Sequence, residues 1–312
     1  MGVVTSRTRR AVQPLEAEVA FHRCWYPVAL SQALTAGAPI GRDFLGTRVV
    51  AYRDPEGRAV VQAAWCPHLG ADLSVGKLCA GRLRCPYHHW SFDSSGACVD
   101  IPTGDTIPPS ARIFTYPTRE AWGLVWAFNG DAADCEVPRL PDADEHGIAF
   151  EAHERGPRPW DPWIAVSNGV DFQHLRTLHG IPSVSMPEQL QVDAHGVEFS
   201  VESPYHLQHG RISGTNVFAQ HLRMSGRDMF MMFCGAPIET GQSNGYLVVG
   251  VPKDATASLP EVLALAIRLN EEDAPVLSSM RFRRGLLTAS DRHLATYFRY
   301  VDNFPCFAPA RQ

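Results

Sequence analysis

The stretch WCPHLGADLSVGKLCAGRLRCPYHHW, residues 65–90, places one residue between Cys66 and His68 and two between Cys85 and His88. Two thiolates and two imidazoles so close together suit a metal centre. The candidates are tetrahedral zinc and a [2Fe–2S] cluster in which two His replace two Cys on one iron. Zinc modules usually draw like ligands in pairs, two Cys from one knuckle and two His from another. Here each loop offers one of each, which suits two loops closing on a two-iron cluster from opposite sides. Pro67 and Pro86 stiffen the ligand loops, and Gly70, Gly76 and Gly81 permit tight turns between them.

The 312 residues are enough to bury a substantial core in one or two domains, and 45% hydrophobic with 20% charged content is ordinary for a globular protein. A net charge of −5 with no long basic run argues against nucleic-acid binding, which rests on clustered Lys and Arg. No apolar run approaches the roughly 20 residues that span a bilayer. The opening MGVVTSRTRR lacks the apolar stretch of a secretory signal. Gly2 and Ser6 fit a loose myristoylation pattern, but the segment reads as a polar tail. Eight scattered cysteines in a chain of this size point to metal binding rather than disulfide staples, with the cytoplasm as the default compartment.

Residues 1–135 read as short strands broken by turns. TRVVAYRDPEGRAVVQAAW is a hairpin about Asp54–Gly57, WSFDSSGACVDIP is a second, and EAWGLVWAFNG reads as one further strand. The acidic, Pro-containing DAADCEVPRLPDADEHG marks a boundary, leaving residues 136–312 as a second domain. In it NGVDFQHLRTLHGIP reads as a short helix closed by Gly180 and Pro182. Four strands follow, and the chain after Pro260 is helical. The fold class expected is α+β, an all-β domain followed by an antiparallel sheet with helices packed on it.

At this point a family is recognisable. CPHLGADLSVGKL and CPYHHWSF resemble the Cys-x-His-x16-Cys-x-x-His signature of Rieske proteins, which implies a [2Fe–2S] cluster held by Cys66, His68, Cys85 and His88. Respiratory-chain members carry two further cysteines where this chain has Ala71 and Tyr87, so the resemblance is to the oxygenase and ferredoxin branches. Two departures stand out: Leu69 where many relatives have Arg, and His89 where many have Gly.

The second informative stretch is NGVDFQHLRTLHG. Asp171 and His174 are three apart and share a helical face, while His179 falls about 140° further round an ideal helix, beside the Gly180 stop. Taken alone, two of 13 histidines do not distinguish ligands from ordinary residues. Beside the first motif, Asn168, Asp171, His174 and His179 resemble the Asn-x-x-Asp-x-x-His-x4-His signature of Rieske non-heme iron oxygenases. The resemblance implies a catalytic domain of helix-grip type, with His174 and His179 as two ligands of a 2-His-1-carboxylate site for Fe(II). In the family the carboxylate comes from a late acidic pair, which RLNEEDAPVLSSM matches. Asp273 shares a helical face with Leu269, Val276, Leu277 and Met280, a costly place for an unpaired carboxylate. Asp273 followed by Pro275 also reads as a helix N-cap, and Glu272 and Asp291 are reserve ligands.

The resemblance further implies O2 as co-substrate and a head-to-tail homotrimer, in which Asp171 links His174 to His88 of the neighbouring copy. No dinucleotide-binding or plant-type ferredoxin motif occurs, so electrons would come from an NAD(P)H-dependent reductase, through a ferredoxin. The run Met229–Phe233 reads mainly as a buried strand whose alternate residues face a substrate pocket. The expected activity is hydroxylation of a hydrophobic aromatic or polycyclic small molecule. Oxidative cyclisation, N-oxygenation, desaturation and demethylation are alternatives with the same metals, and a pure electron carrier is the alternative of another class.

Overall fold

In the computed structural model, residues 20–35, 37–181, 186–203, 206–283 and 285–308 are described. Gly2, Ser6 and Pro182 lie outside them. The N-terminal part is built of short antiparallel strands. One sheet runs Thr115–Tyr116, Ala59–Ala63, Thr47–Arg53, Ile40–Phe44; a second runs Thr118–Ala121, Leu124–Phe128, Trp25–Leu30. A third runs Lys77–Cys79, Arg82–Arg84, Ser91–Phe92, Cys98–Asp100. Both expected hairpins form. EAWGLVWAFNG, expected as one strand, is instead two joined at Trp122 (φ 57°) and Gly123 (φ 71°). Two consecutive left-handed residues make the tight turn whose twist matches paired strands.

The C-terminal part is one seven-stranded antiparallel sheet in the order Ile148–Arg158, Gln242–Pro252, Arg227–Glu239, Val217–Met224, His206–Ser213, Gly196–Ser203, Gln191–Val192. Among the described residues, four α-helices accompany it: α1 (Pro162–Val166), α2 (Phe172–Thr177), α3 (Leu259–Ser279) and α4 (Arg292–Asn303). Residues 129–147, where the sequence suggests a boundary, hold neither strand nor helix. The α+β expectation holds, an all-strand part preceding a sheet with helices.

The run Met229–Cys234 is apolar throughout because its strand is covered on both faces. Phe230 and Met232 pack with Trp25, Trp122 and Trp126 of the N-terminal part. Met231 points the other way, into a cluster with Val249, Val262 and Ala266 beneath α3. Buried polar groups join the two parts. Asn216 Nδ2 donates to the carbonyls of Trp25 and Gly235, each at 3.0 Å, and Tyr246 Oη donates to the Val28 carbonyl at 2.8 Å. Phe21–His22 pairs with Cys306–Phe307, bringing distant parts of the chain together.

The 129–147 connection is fastened to the sheet through Asp142. Its Oδ2 lies 3.0 Å from His209 Nδ1 and 2.9 Å from His221 Nδ1; His209 Nε2 lies 2.7 Å from Glu198. Burial lowers His209, but hydrogen bonds to Glu198 and Asp142 outweigh it and hold the imidazole above its ordinary 6.5. Burial raises Asp142 and Glu198, but hydrogen bonds to His221 and His209 for Asp142, and to His209 and Arg211 for Glu198, outweigh it and hold both below their ordinary 3.8 and 4.5. The His209 contribution is complete below pH 6.5 and disappears as pH rises through the raised value. The carboxylate contributions are complete above 4.5 and disappear as pH falls through the lowered values. The clasp should therefore hold best between about pH 4.5 and 6.5. Amide exchange in 137–144, corrected for intrinsic rates, should be slowest in that window, and His209→Gln should flatten the profile.

Candidate metal centres

The Cys66 loop follows the Ala59–Ala63 strand, and the Cys85 loop follows Arg82–Arg84. Both close the same way. Cys66 N–H donates to the Ala71 carbonyl at 2.9 Å and Cys85 N–H to the Trp90 carbonyl at 2.8 Å, each five residues on. The fourth residue after each Cys is left-handed: Gly70 at φ 73° and His89 at φ 59°. Glycine adopts that conformation freely, whereas a side chain there costs about 1–2 kcal/mol. Both cysteines are buried, and His68 and His88 are exposed with ring centroids 4.6 Å apart. Trp90 stacks on His68 at 4.6 Å. His89 turns aside, its Nδ1 3.3 Å from the Arg84 guanidinium, so His88 is the partner facing His68.

Burial pushes the Cys66 thiol up to about 12; backbone N–H groups of His68 and Leu69 oppose the rise and the Cys85 thiol adds to it. Two buried cysteines flanked by two surface imidazoles fit a [2Fe–2S] cluster with mixed ligation, which would favour the thiolate form.

The second centre forms where α2 ends. The Asp171 carboxylate caps the helix, accepting from the Gln173 and His174 N–H groups at 3.1 Å each. The Asp171 carbonyl accepts a hydrogen bond from His174 Nδ1. The helix stops at Thr177, so His179 lies beyond its end rather than on it, contrary to the sequence expectation. Gly180 at φ 63° turns the chain so that Ile181 N–H reaches the Leu175 carbonyl at 3.0 Å, directing His179 inward. His179 is buried, and its Nδ1 lies 2.7 Å from Glu272 Oε2.

Asp273 completes the group. It is no N-cap: α3 runs through it and through Pro275. Asp273 Oδ1 is 3.2 Å from His179 Nε2 and 4.0 Å from His174 Nε2. That oxygen is buried and, among the described residues, has no hydrogen-bond partner, because the close approach to His179 lacks hydrogen-bond geometry. The tautomers explain why. A carbonyl and a carboxylate accept, so both Nδ1 atoms carry protons and both Nε2 lone pairs face Asp273. One potential ligand atom from each residue lies within 4.8 Å of the others. Three electron-rich atoms converging on one point repel one another without a cation, and two imidazoles with one carboxylate are the donor set of non-heme Fe(II). Of the reserve ligands, Glu272 orients His179 and Asp291 belongs to a capping box with Thr288.

These donors border a cavity of about 900 Å³, counting its open mouth, between the sheet and α1–α3. Phe218, Phe233, Leu269 and Leu277 give it apolar walls, with Gln220 among them. Of Met229–Phe233, Phe233 is the member that lines it. Leu269 and Leu277 were legible as neighbours of Asp273 on one helix face. Phe218 and Gln220 were not, since nothing in a strand's alternation says which face meets a cavity.

Residues 24–117 match the Rieske [2Fe-2S] domain family. Those residues form a Rieske-type domain. The chain is 31% identical over 210 residues to the 3-chlorobenzoate-3,4-dioxygenase oxygenase subunit of Comamonas testosteroni, covering 63% of this chain and 46% of that protein. It is also 31% identical over 185 residues to a 3-ketosteroid-9-alpha-monooxygenase oxygenase component of Rhodococcus rhodochrous, covering 54% and 46%. The chain thus spans about half the length of these curated relatives. Among solved structures, NdmA of Pseudomonas putida CBB5 with caffeine aligns at a TM-score of 0.79 and 19% identity, over 89% of each chain. That likeness extends the shared fold well beyond the Rieske domain to the sheet and helices.

Glu272 fixes the His179 tautomer, so Glu272→Ala should weaken iron binding about 10–100-fold in chelator competition, and Glu272→Gln, which keeps an acceptor, should cost less. His88→Ala should abolish the cluster's visible absorption, whereas His89→Gly should retain it.

Proposed function

We propose that this protein is the oxygenase component of a Rieske non-heme iron oxygenase, using O2 and reductase-supplied electrons to hydroxylate a hydrophobic aromatic or polycyclic small molecule. The observation that carries the reading is the convergence of His174, His179 and Asp273 on one point beside an apolar cavity, in a chain that also has a Rieske domain. The names of relatives support the substrate class, with a chlorobenzoate and a ketosteroid among them. A [2Fe–2S] cluster held by Cys66, His68, Cys85 and His88 would supply electrons singly, and iron held by His174, His179 and Asp273 would supply a site for dioxygen activation.

The chain's own residues do the rest. Glu272 and the Asp171 carbonyl hold the two imidazoles with their Nε2 atoms toward Asp273. Phe218, Phe233, Leu269 and Leu277 exclude water and hold an apolar substrate against the donors. His68 and His88 are exposed and would put a bound cluster's edge at the protein surface. In this reading the protein is a head-to-tail homotrimer, a closed ring of one chain type, with Asp171 joining His174 to His88 of the adjacent copy. Its electrons come from an NAD(P)H-dependent reductase, through a ferredoxin. Among the described residues no helix is long and apolar enough to cross a membrane.

Two measurements test the reading. The loaded protein should hold about three irons per chain, two in the cluster and one at the triad; a pure electron carrier would hold about two. Incubation with reductase, ferredoxin and aromatic substrates should give a product heavier by one oxygen atom, which separates hydroxylation from desaturation, cyclisation or demethylation. Asp171→Asn should keep both metals, since Asn caps a helix as well as Asp, yet cut product formation by about 100-fold or more. Near-normal turnover in that variant would remove Asp171 from the electron path.

A further inference from the structure

The mouth of the cavity carries an unusual pair of charges. Arg155 and Arg158 both line it, although residues three apart in an unbroken strand point to opposite faces. The reason is a break in register. Glu154 pairs with Tyr246 and Gly156 with Gly245, leaving Arg155 as an extra residue, and Gly156 takes a left-handed φ of 73°. Both side chains then lie over Gly245. A β-carbon built there would sit 3.6 Å from Arg155 Cβ and 3.8 Å from Arg158 Nε, which places both side chains on the same face of the sheet.

Neither guanidinium is matched by a buried carboxylate, although Arg158 also lies over the Trp160 ring, 5.9 Å from its centroid. Arg158 donates to Asn270 Oδ1 at 3.1 Å and, among the described residues, has no carboxylate within 4.0 Å. Arg155 reaches Glu271, an exposed partner, at 3.3 Å, and its Nε is buried without a hydrogen-bond acceptor. Burial, and then the neighbouring Arg155, hold the Arg158 guanidinium below its ordinary value. Two like charges side by side at the rim of an apolar cavity, in a chain of net charge −5, are stabilised by an anion between them. The position suits substrate. Asn270, which holds Arg158, precedes Asp273 by one turn of α3, about 4.5 Å along the helix axis.

We propose that Arg155 and Arg158 form an anion-binding end of the substrate cavity, and that the substrate is an aromatic or polycyclic acid, a carboxylate or sulfonate. The acid group is held at the guanidiniums and the carbon skeleton lies against Phe218, Phe233 and the triad. Arg158 makes the charge-assisted hydrogen bonds, and Arg155, drawn from Glu271, adds a second fork. This deepens the oxygenase reading and rests on it.

The test is binding to the iron-loaded protein of 2-naphthoate and its neutral methyl ester, by titration calorimetry at neutral pH. The acid should bind about tenfold or more tightly than the ester. Arg158→Gln should erase that preference by weakening the acid alone, Arg158→Lys should restore part of it, and Arg155→Gln should reduce it. Equal binding of acid and ester to the unmodified protein overturns the anion site and leaves the oxygenase reading standing. Equal weakening of both by Arg158→Gln marks a structural role and overturns it too. If neither probe binds to protein carrying its full iron, the cavity is not a substrate site and both readings fall.

Discussion

A carboxylate oxygen removed from water and given no hydrogen-bond donor costs several kcal/mol. Asp273 Oδ1 is such an oxygen, and the C-terminal part is arranged around it. Helix α3 carries it on a face packed against the sheet by Val262 and Ala266. Helix α2 is short, and Gly180 ends its turn, so that His179 meets Asp273 from outside the helix. Glu272 and the Asp171 carbonyl then occupy both Nδ1 atoms, leaving lone pairs where a relaxed protein core would place protons. A divalent cation bound at that point would reverse the sign of the cost.

The strand Arg227–Glu239 shows how the two halves share one scaffold. Its alternation sends Phe230 and Met232 toward the tryptophans of the N-terminal part, and Met231 and Phe233 toward the helices and the cavity. The Rieske-bearing part and the cavity therefore cover opposite faces of one sheet. Buried bonds from Asn216 and Tyr246 fix the two parts together without lengthening the core. Within the Rieske part, two loops of different sequence reach the same backbone shape, one through glycine and one through a strained histidine.

Much of the site was legible because its chemistry is local. Cys66, His68, Cys85 and His88 fall in two short Gly- and Pro-containing stretches whose spacing suits paired ligand loops, and the Asp171 to Gly180 stretch declares a short helix with a stop. The hairpin at Trp122 was not legible, since no composition rule places tryptophan in a left-handed turn. The fate of Asp273 was half legible. Its apolar helical face marked it as costly, but the following proline also permitted a cap, and only the continuation of α3 through Pro275 excludes that. Glu272, one residue away, changes from candidate ligand to the group that orients His179 because its side chain leaves the helix toward Nδ1 rather than Nε2.

The sequence by itself determined the donor types, their loop spacings, the apolar faces and the division into a strand-rich part and a mixed part. These follow from backbone periodicity and side-chain chemistry, which act over a few residues. Only the tertiary structure decided which carboxylate meets the two histidines, which tautomers they adopt, and which residues line the cavity. The same is true of Arg155 and Arg158, whose odd spacing argues against a shared face until a one-residue bulge against Gly245 supplies it. Those outcomes depend on register and on the approach of segments far apart in the chain, and no local preference encodes either.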